Sequence, residues 1–446
     1  MKYLVNFLRI AIGCFYIFSG FVKAVDPLGT SYKMHDYFSA FAGLGMSKFW
    51  MAMNDYSTPI AVFMLVVELV TGFCLLIGWM PRFTTWIIFL MTLFFTLLTG
   101  FTYLSGYCPN GTFAAFALGV TLVTMLGAWF YDSKIGKMLT IAAVVGAIIF
   151  ALLCLFSSTL LTCAFTESKM KVTDCGCFGD FMKLKPWETF WKDVILDVLI
   201  FILVVGYKYI KPIFSVKLLN WATIIATAGC TVFCLSNFLW GLPYIDFRPY
   251  AIGNDINEQR IAPKPEVREL IFLYKNTKTD VVGRYKSEQL KDLNFDELEY
   301  VDRIDSIIDP GIPAKINNLF INNENGEDVT DTLLHDPRYS LWVVALKLEH
   351  TNTSAFEKKI NPMVKKLDKA GIPIYCLSTG DIDIEKFRHD HQCAFPFYTA
   401  DETPLKTMMR SNPGIILLKN GKVIDMWHHL YIPKFDELNQ KYFSKK

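Results

Sequence analysis

Long apolar runs recur through the first half of the chain and stop near Trp240. A membrane-spanning helix needs about 20 predominantly apolar residues, and seven runs approach or reach that length. From about Asp246 onward Lys, Asp, Glu and Asn are frequent, and no apolar run comes close to it. The pattern predicts an α-helical membrane bundle followed by a soluble domain. The predicted spans are residues 3–22, 57–79, 83–103, 113–131, 137–162, 189–207 and 218–240.

The soluble part begins with a stretch rich in Pro, Asn and Gly, residues 244–265, and then alternates short apolar strands with helices. Strands are predicted at 270–274, 319–326, 340–348, 372–377 and 396–398, helices at 353–370, 383–391, 403–410 and 433–443, and a hairpin of 414–418 and 422–427. The predicted domains are a membrane domain at 1–243, a juxtamembrane linker with an irregular α/β segment at 244–310, and an α/β domain at 311–446.

Basic residues near the ends of the spans predict the orientation, because short loops rich in Lys and Arg tend to stay cytoplasmic. Lys2, Arg82, Lys134, Lys137, Lys208, Lys211 and Lys217 fall on one side of the predicted bundle. The loops on the other side mix Lys with Asp and Glu. An odd number of spans then places the soluble domain outside. We therefore expect an integral membrane protein, with the lipid bilayer as a partner and the C-terminal domain on the non-cytoplasmic side.

Overall charge says little about partners. The 446 residues are 52% hydrophobic and carry a formal net charge of +2. A nucleic-acid-binding protein would show a basic stripe or a known recognition motif, and the sequence shows neither. We predict no nucleic-acid partner.

A polar loop between two apolar segments carries the most reactive chemistry, Cys175-Gly176-Cys177 followed by Asp180. Thiolates attack disulfides and bind metals, and a loop thiol ionises more easily than a core thiol. A Cys-x-Cys pair is too short for a relaxed disulfide, so one hypothesis is redox exchange through a strained bond. A second is a structural disulfide with Cys163 or Cys108. A third is half of a metal site, but no His lies in 163–188, so a four-ligand zinc site is not visible.

Charged residues interrupt several predicted spans, and the candidates among them are Arg9, Glu68, Asp193 and Asp197. Charges in a bilayer are costly, so each is a functional hypothesis. One interpretation is polar contact between helices, for example an ion pair of Arg9 with Glu68. The other is that Asp180, Asp193 or Asp197 accepts and delivers protons while the loop thiols exchange.

Several segments of residues 1–210 resemble DoxX-family membrane proteins of the Bacteroidota type and the related methylamine-utilisation MauE proteins. The similar segments are Leu8–Gly13, Ile17–Pro27, Glu68–Gly72, Leu75–Gly78, Phe94–Thr99, Asp174–Asp180 and Pro186–Phe190. The resemblance implies a four-helix membrane core and redox chemistry in the cell envelope. Together with the predicted orientation, it implies a protein of the bacterial inner membrane whose C-terminal domain is periplasmic. MauE proteins are linked with disulfide formation in an exported protein, and DoxX is named for a subunit of a thiosulfate:quinone oxidoreductase, which makes a quinone a candidate cofactor. Two additional predicted spans between Thr99 and the cysteine loop depart from the compact form of the family.

The predicted order of strands and helices in 311–446 resembles the thioredoxin-like fold. Pro413 stands where that fold carries a cis-proline, so the resemblance implies a backbone edge there that receives an extended partner. The residues after the strand at 340–348 are Glu349-His350-Thr351-Asn352-Thr353, without Cys-x-x-Cys. The domain therefore lacks a thioredoxin-type nucleophile. Its two thiols, Cys376 and Cys393, are expected to form a structural bridge or to pack unpaired, and a displaced redox pair is the remaining alternative.

Two functions follow from these features. The first is an envelope thiol-disulfide or quinone-linked redox protein, in which Cys175 and Cys177 exchange electrons with a partner and the soluble domain holds a client. The second is a non-enzymatic accessory subunit, in which the bundle anchors, the soluble domain binds another envelope protein, and the Cys pair is a staple. The missing Cys-x-x-Cys favours the second function, whereas the Cys-x-Cys loop favours the first.

Overall fold

The computed structural model describes residues 1–43, 47–105, 184–309, 311–380 and 382–444, with 138, 172, 179, 181 and 182 as isolated positions. The chain divides into two compact units, Met1–Phe247 and Arg248–Lys446. The spans predicted at 113–131 and 137–162 lie outside the described residues, apart from Met138.

The described part of the first unit is helical. Its helices are α1 (Lys2–Val25), α2 (Pro27–Ala42), α3 (Ser47–Asp55), α4 (Ser57–Ile77), α5 (Pro81–Ser105), α6 (Pro186–Gly206) and α7 (Val216–Ser236). By length and composition α1, α4, α5 and α7 could each cross a membrane. Helix α6 is as long as α4, and carries Lys192 and Asp193 in its N-terminal half and Asp197 near its middle. Five of the predicted spans thus correspond to described helices, and the membrane bundle is confirmed.

Glycines allow α1 and α4 to approach closely. A Cβ atom on Gly13 would lie 2.6 Å from Leu76 Cδ2, and one on Gly72 would lie 2.9 Å from Tyr16 Cβ. Small residues at such crossings let membrane helices pack through their backbones. Next to this contact, buried side chains of α1, α4, α5 and α6 form one apolar cluster. Its buried members are Val5, Leu8, Ile12, Tyr16, Leu75, Ile88, Met91, Ile200, Leu203 and Ile210.

The second unit contains two sheets. The smaller one has the order β2-β1-β3, with all neighbours antiparallel. Its strands are β1 (Val267–Asn276), β2 (Val282–Lys286) and β3 (Leu298–Asp309), and the short helix α8 (Ile256–Gln259) precedes them. The strand predicted at 270–274 lies within β1.

The larger sheet has six strands in the order β4-β7-β6-β5-β8-β9. They are β4 (Ile321–Asn322), β5 (Tyr339–Val344), β6 (Ile374–Ser378), β7 (Phe397–Ala400), β8 (Gly414–Lys419) and β9 (Lys422–His428). Strands β5, β6 and β7 are parallel, and β8 and β9 form an antiparallel hairpin beside β5. The central strand β5 is almost wholly buried, as its near-continuous apolar sequence predicts.

Short helices connect these strands. They are α9 (Thr330–Leu334), α10 (Thr353–Ala355), α11 (Asn361–Lys369), α12 (Ile384–Asp390), α13 (Glu402–Met408) and α14 (Phe435–Leu438). A π-helical turn, Phe356–Ile360, joins α10 to α11. This strand-helix-strand-helix order, closed by a hairpin and a helix, confirms the predicted thioredoxin-like α/β fold.

Candidate functional site

Arg9 of α1 is buried and binds backbone carbonyl groups. Its Nε donates to the carbonyl oxygen of Leu75 at 2.8 Å, and its Nη2 donates to that of Leu76 at 2.5 Å. Its Nη1 donates to the carbonyl oxygen of Lys211 at 3.1 Å. The last carbonyls of a helix have no partner within the helix and carry partial negative charge. Arg9 therefore caps the C-terminal end of α4.

Glu68 pairs with Lys23 and not with Arg9, so the predicted Arg9–Glu68 pair is wrong. Lys23 Nζ lies 2.7 Å from Glu68 Oε1 and 2.5 Å from Glu68 Oε2. The two residues are only 5% and 3% exposed. Lys23 Nζ also lies 4.8 Å from the centroid of the Phe95 ring. Helix α1 runs through Val25, beyond the predicted end of its span, so Lys23 lies within the helix and faces α4.

Asp193 and Asp197 lie one turn apart on α6 and meet a row of threonines on α5. Thr99 Oγ1 lies 3.1 Å from Asp193 Oδ2, and Thr96 Oγ1 lies 2.6 Å from Asp197 Oδ2. Asp193 also pairs with Lys192, whose Nζ is 2.7 Å from Asp193 Oδ1. Asp197 Oδ1 is buried and has no hydrogen-bond partner among the described residues.

Lys23, Glu68 and Asp193 line one polar pocket in the bundle. Its cavity measures about 60 Å³, and helices α1, α2, α4, α5 and α6 all contribute to its wall. The polar side chains that line it are Tyr16, Ser19, Lys23, Thr30, Lys33, Tyr37, Glu68, Thr92, Thr99, Lys192 and Asp193. A volume of this size holds about two water molecules. The pocket thus brings two amine–carboxylate pairs, Lys23–Glu68 and Lys192–Asp193, to one small space inside the bundle.

The predicted thiol site lies outside the described residues. This applies to Cys175, Cys177 and Asp180, and equally to the candidate partners Cys163 and Cys108. The continuously described residues resume at Leu184, and α6 begins at Pro186. In sequence, the loop cysteines therefore directly precede the helix that carries Asp193 and Asp197.

In the thioredoxin-like domain, the Asn412–Pro413 peptide bond is cis. The loop that contains it meets the start of the helical segment after β5, since Asn352 N donates to the carbonyl oxygen of Asn412 at 3.1 Å. Asn412 Nδ2 donates to the carbonyl oxygen of Lys347 at 3.1 Å. Thr351 Oγ1 and Asn412 Oδ1 are buried without a hydrogen-bond partner among the described residues. This edge of the domain offers hydroxyl and amide groups, and no thiol.

Cys376 and Cys393 are buried and do not form a disulfide. The alternative of two unpaired packing thiols is therefore correct, and that of a structural bridge is wrong. Burial disfavours the thiolate, so it raises the pKa of Cys393 to about 11 and the pKa of Cys376 well above its ordinary value. Neither thiol is suited to exchange with a partner.

His429 follows β9 and reaches the loop before β8. Its Nδ1 and its backbone N both lie 3.0 Å from Ser411 Oγ, which donates to the carbonyl oxygen of Pro413 at 2.6 Å. Burial and the nearby Lys359 ammonium lower the pKa of His429. The imidazole therefore favours its neutral form and ties the cis-proline loop to the end of β9.

Sequence reasoning found Glu68, Asp193 and Asp197 because each interrupts an apolar run. It missed Lys23, which stands just past the predicted span where a lysine often extends to the membrane surface. It also missed the threonines of α5, although Thr92, Thr96 and Thr99 recur at helical spacing and so share one face. This spacing is the sequence feature that could have indicated a polar face on α5.

Comparison with known proteins gives one family match. Residues 1–110 match the family described as Methylamine utilisation protein MauE. This range includes α1–α5, and with them Arg9, Lys23, Glu68 and the α5 threonines. A search of curated proteins finds no match.

Solved structures with similarity to the chain include the thioredoxin domain of a thiol-disulfide oxidoreductase from Bacteroides vulgatus, at 16% identity and a TM-score of 0.23, covering 28% of this chain and 90% of that one. A putative protein disulfide isomerase from Bacteroides thetaiotaomicron is 17% identical, with a TM-score of 0.23, and the match covers 28% and 84% of the two chains. For peroxiredoxin Q from Xanthomonas campestris the identity is 18% and the TM-score 0.20, and the coverage is 26% and 81%.

The helices of the first unit and the sheet order of the second thus define the two parts of the molecule. The chain is a membrane protein with a MauE-like domain in residues 1–110 and a C-terminal region of thioredoxin-like fold.

Proposed function

We propose that the chain is a thiol-disulfide redox protein of the bacterial inner membrane, and that Cys175 and Cys177 are its exchanging thiols. The observation that carries this proposal is the Cys175-Gly176-Cys177 pair in a polar loop of a chain that also contains a thioredoxin-like domain. Its cis-proline edge is intact, but no cysteine stands at the start of the helical segment after β5, and both of its thiols are buried. The domain therefore has no exchanging thiol of its own, and under this proposal that thiol comes from the loop.

The loop cysteines are the candidates with suitable chemistry. The described thiols of the bundle, Cys14, Cys74, Cys230 and Cys234, lie on apolar helices. Cys175 and Cys177 lie in a polar loop, where a thiolate forms more easily. The MauE match of residues 1–110 and the polar pocket in the same bundle support a redox role of the DoxX and MauE kind.

The proposed reaction transfers two electrons. In the oxidising direction, a thiolate of a client protein attacks the Cys175–Cys177 disulfide and forms a mixed disulfide with one of the two cysteines. A second client thiolate then attacks the mixed disulfide. The client disulfide forms, and Cys175 and Cys177 remain as two thiols. The client loses two electrons and two protons, and the loop pair gains them. The thioredoxin-like domain would hold the client, with the backbone beside Pro413 receiving an extended segment. This placement requires both the loop and the domain to lie on the periplasmic side.

A membrane-soluble acceptor would then reoxidise the loop, and a quinone is the proposed one. The polar pocket of about 60 Å³ is too small for a quinone ring. An apolar groove of about 730 Å³ between α4, α5 and α7 has the space. Its wall contains the hydroxyl groups of Thr223, Thr227 and Thr231, which recur along one face of α7. The quinone would take two electrons and two protons from the loop thiols and become a quinol.

The test is thiol trapping with an alkylating reagent, in intact cells and on the purified full-length protein equilibrated in redox buffers. We expect Cys175 and Cys177 to be partly reduced in cells and to exchange at a potential of roughly −120 to −270 mV, the range of known oxidoreductases. One of the two single variants, Cys175→Ser or Cys177→Ser, should trap a mixed disulfide between the client and the cysteine that remains. Cys14→Ser, an exposed thiol on α1, is the control variant and should behave as wild type.

The alternative is a non-enzymatic accessory subunit that binds another envelope protein through its thioredoxin-like domain. The absence of a thiol at the cis-proline edge favours it. In that case the Cys175–Cys177 loop would stay oxidised in every buffer until the protein unfolds. That result would overturn the redox proposal and leave the domain as a binding module.

A further inference from the structure

We propose that Asp197 of α6 is a proton-carrying group of the membrane bundle, with Thr96 of α5 as the hydroxyl that adjusts to its protonation state. The inference goes beyond the thiol chemistry, and rests on the proposed function only for the reaction that uses the proton. Its evidence is the contrast between two carboxyl groups one turn apart on the same helix.

Asp193 has the partners that an ionised carboxylate needs. Lys192 Nζ lies 2.7 Å from its Oδ1, and Thr99 Oγ1 lies 3.1 Å from its Oδ2. Within the described residues Asp197 has no cation within ion-pair distance, and its single hydrogen-bond contact is Thr96 Oγ1 at 2.6 Å. Its Oδ1 is buried and unpartnered in the same part of the chain. An unpaired charge in an apolar bundle is costly, and a bound proton removes that charge.

The surrounding ionisable groups do not supply a counter-charge in contact with Asp197. The pocket beside it is lined by Tyr16 and Lys23 of α1, Lys33 of α2, Glu68 of α4, and Lys192 and Asp193 of α6. Lys23 is held by Glu68, and Lys192 by Asp193. Helix α5 presents threonine hydroxyls to this region. Asp197 itself is not part of the pocket wall.

Thr96 can form a hydrogen bond with Asp197 in either protonation state of the carboxyl group, without a change in backbone conformation. Its Oγ1 lies 2.6 Å from Asp197 Oδ2 and 3.0 Å from the carbonyl oxygen of Thr92. When the carboxyl group is ionised, the threonine hydroxyl donates to it. When the carboxyl group is protonated, its O–H donates to Thr96 Oγ1, and the threonine donates to the Thr92 carbonyl. The hydroxyl needs only to rotate about its C–O bond.

The pocket supplies the route for the proton. Its volume holds about two water molecules, and Asp193 and Thr99 belong to its wall. Thr99 Oγ1 has the same pair of contacts as Thr96, to the Asp193 carboxylate and to the carbonyl oxygen of Phe95 at 3.0 Å. A proton released in the pocket would pass by way of Asp193 to Asp197, one helical turn deeper along α6. Under the proposed function, oxidation of two thiols releases two protons, and Asp197 takes up one of them on its way to the quinone.

The test is infrared spectroscopy of the full-length protein in lipid as the pH is varied, in H₂O and in D₂O. A protonated carboxyl group has a carbonyl stretch separate from the bands of ionised carboxylates, and its frequency falls when the group donates a hydrogen bond. We expect such a band in wild type and in the control Asp36→Asn, which removes an exposed carboxyl group of α2, and its loss in Asp197→Asn. Thr96→Val should shift the band, whereas Thr96→Ser, which keeps the hydroxyl, should leave it in place.

A wild-type spectrum without this band at any pH, or a band that persists unchanged in Asp197→Asn, would overturn the proposal. If Asp197→Asn does not fold, the comparison of Thr96→Val with Thr96→Ser decides, because the proposal requires only the first to shift the band. Failure of the proposed redox function would appear in thiol trapping and would leave the infrared result unchanged. The two proposals therefore fail separately.

Discussion

Ionisable side chains inside this bundle have three kinds of environment. Arg9 donates to backbone carbonyls at the end of α4. Lys23 and Glu68 neutralise one another inside the helix packing. Asp197 has one hydroxyl contact and no cation among the described residues. Residue identity alone does not distinguish these cases, because each is a charged side chain in an apolar run. The partner decides the role, and the partner comes from another helix.

The Lys23–Glu68 pair makes a specific prediction for stability. Lys23→Met leaves a buried carboxylate without its partner, and loss of one member of a buried pair costs about 3–5 kcal/mol. The double variant Lys23→Met/Glu68→Met should recover most of that loss, because apolar side chains of similar size replace the pair. The measurement is chemical unfolding of the purified full-length protein in detergent.

Lys2→Met, an exposed change at the start of the same helix, is the control and should match wild type. If Lys23→Met is no less stable than this control, the buried pair does not hold α1 against α4. If the double variant is as unstable as the single one, the side chains act separately and not as a pair.

At the scale of elements, periodicity predicted most of the thioredoxin-like domain. Strand β5 and the hairpin of β8 and β9 lie where the apolar runs placed them. The small sheet was largely missed. Only β1 was expected, because β3 carries Asp302, Arg303 and Asp305 among its apolar residues. These side chains are exposed, so they are compatible with a strand. In the sequence, however, they interrupt the alternation of apolar and polar residues by which a strand is recognised.

His429 links the end of β9 to the loop before β8, and this link should depend on pH. Burial and Lys359 lower the pKa of His429 below the value it has in the unfolded chain, about 6.5. The unfolded state therefore binds more protons between those two pKa values, and stability rises with pH in that window. The contribution is fully present above about pH 6.5 and is lost as the pH falls through the pKa of the folded state.

His429→Asn should flatten this dependence, because asparagine does not titrate and can keep a hydrogen bond to Ser411. The measurement is the unfolding midpoint of the full-length protein as a function of pH. His389→Asn is the matched control, since the His389 side chain is 92% exposed. Equal pH profiles for the two variants would show that His429 does not carry the effect.

At the scale of the whole molecule, the sequence located the two units and the polar residues of the bundle, and it could not pair them. Lys23 and Glu68 are 45 positions apart. Thr96 and Asp197 are separated by 101 positions. Such contacts depend on how whole helices rotate and pack, which a single sequence does not specify. The charged positions were visible as exceptions to an apolar pattern, whereas their partners, ordinary threonines and a lysine at a helix end, were not exceptional.

The division into two units predicts that residues 248–446 fold without the bundle. The main apolar core of this unit is formed within 339–443, from side chains of the six-stranded sheet and its helices, so no residue of the membrane unit belongs to it. A unit with its own core is expected to unfold cooperatively by itself. Expressed alone, residues 248–446 should show one unfolding transition, with Cys376 and Cys393 resistant to alkylation until that transition. Gradual unfolding, or rapid alkylation of both thiols under native conditions, would show instead that the membrane unit is needed to complete the fold.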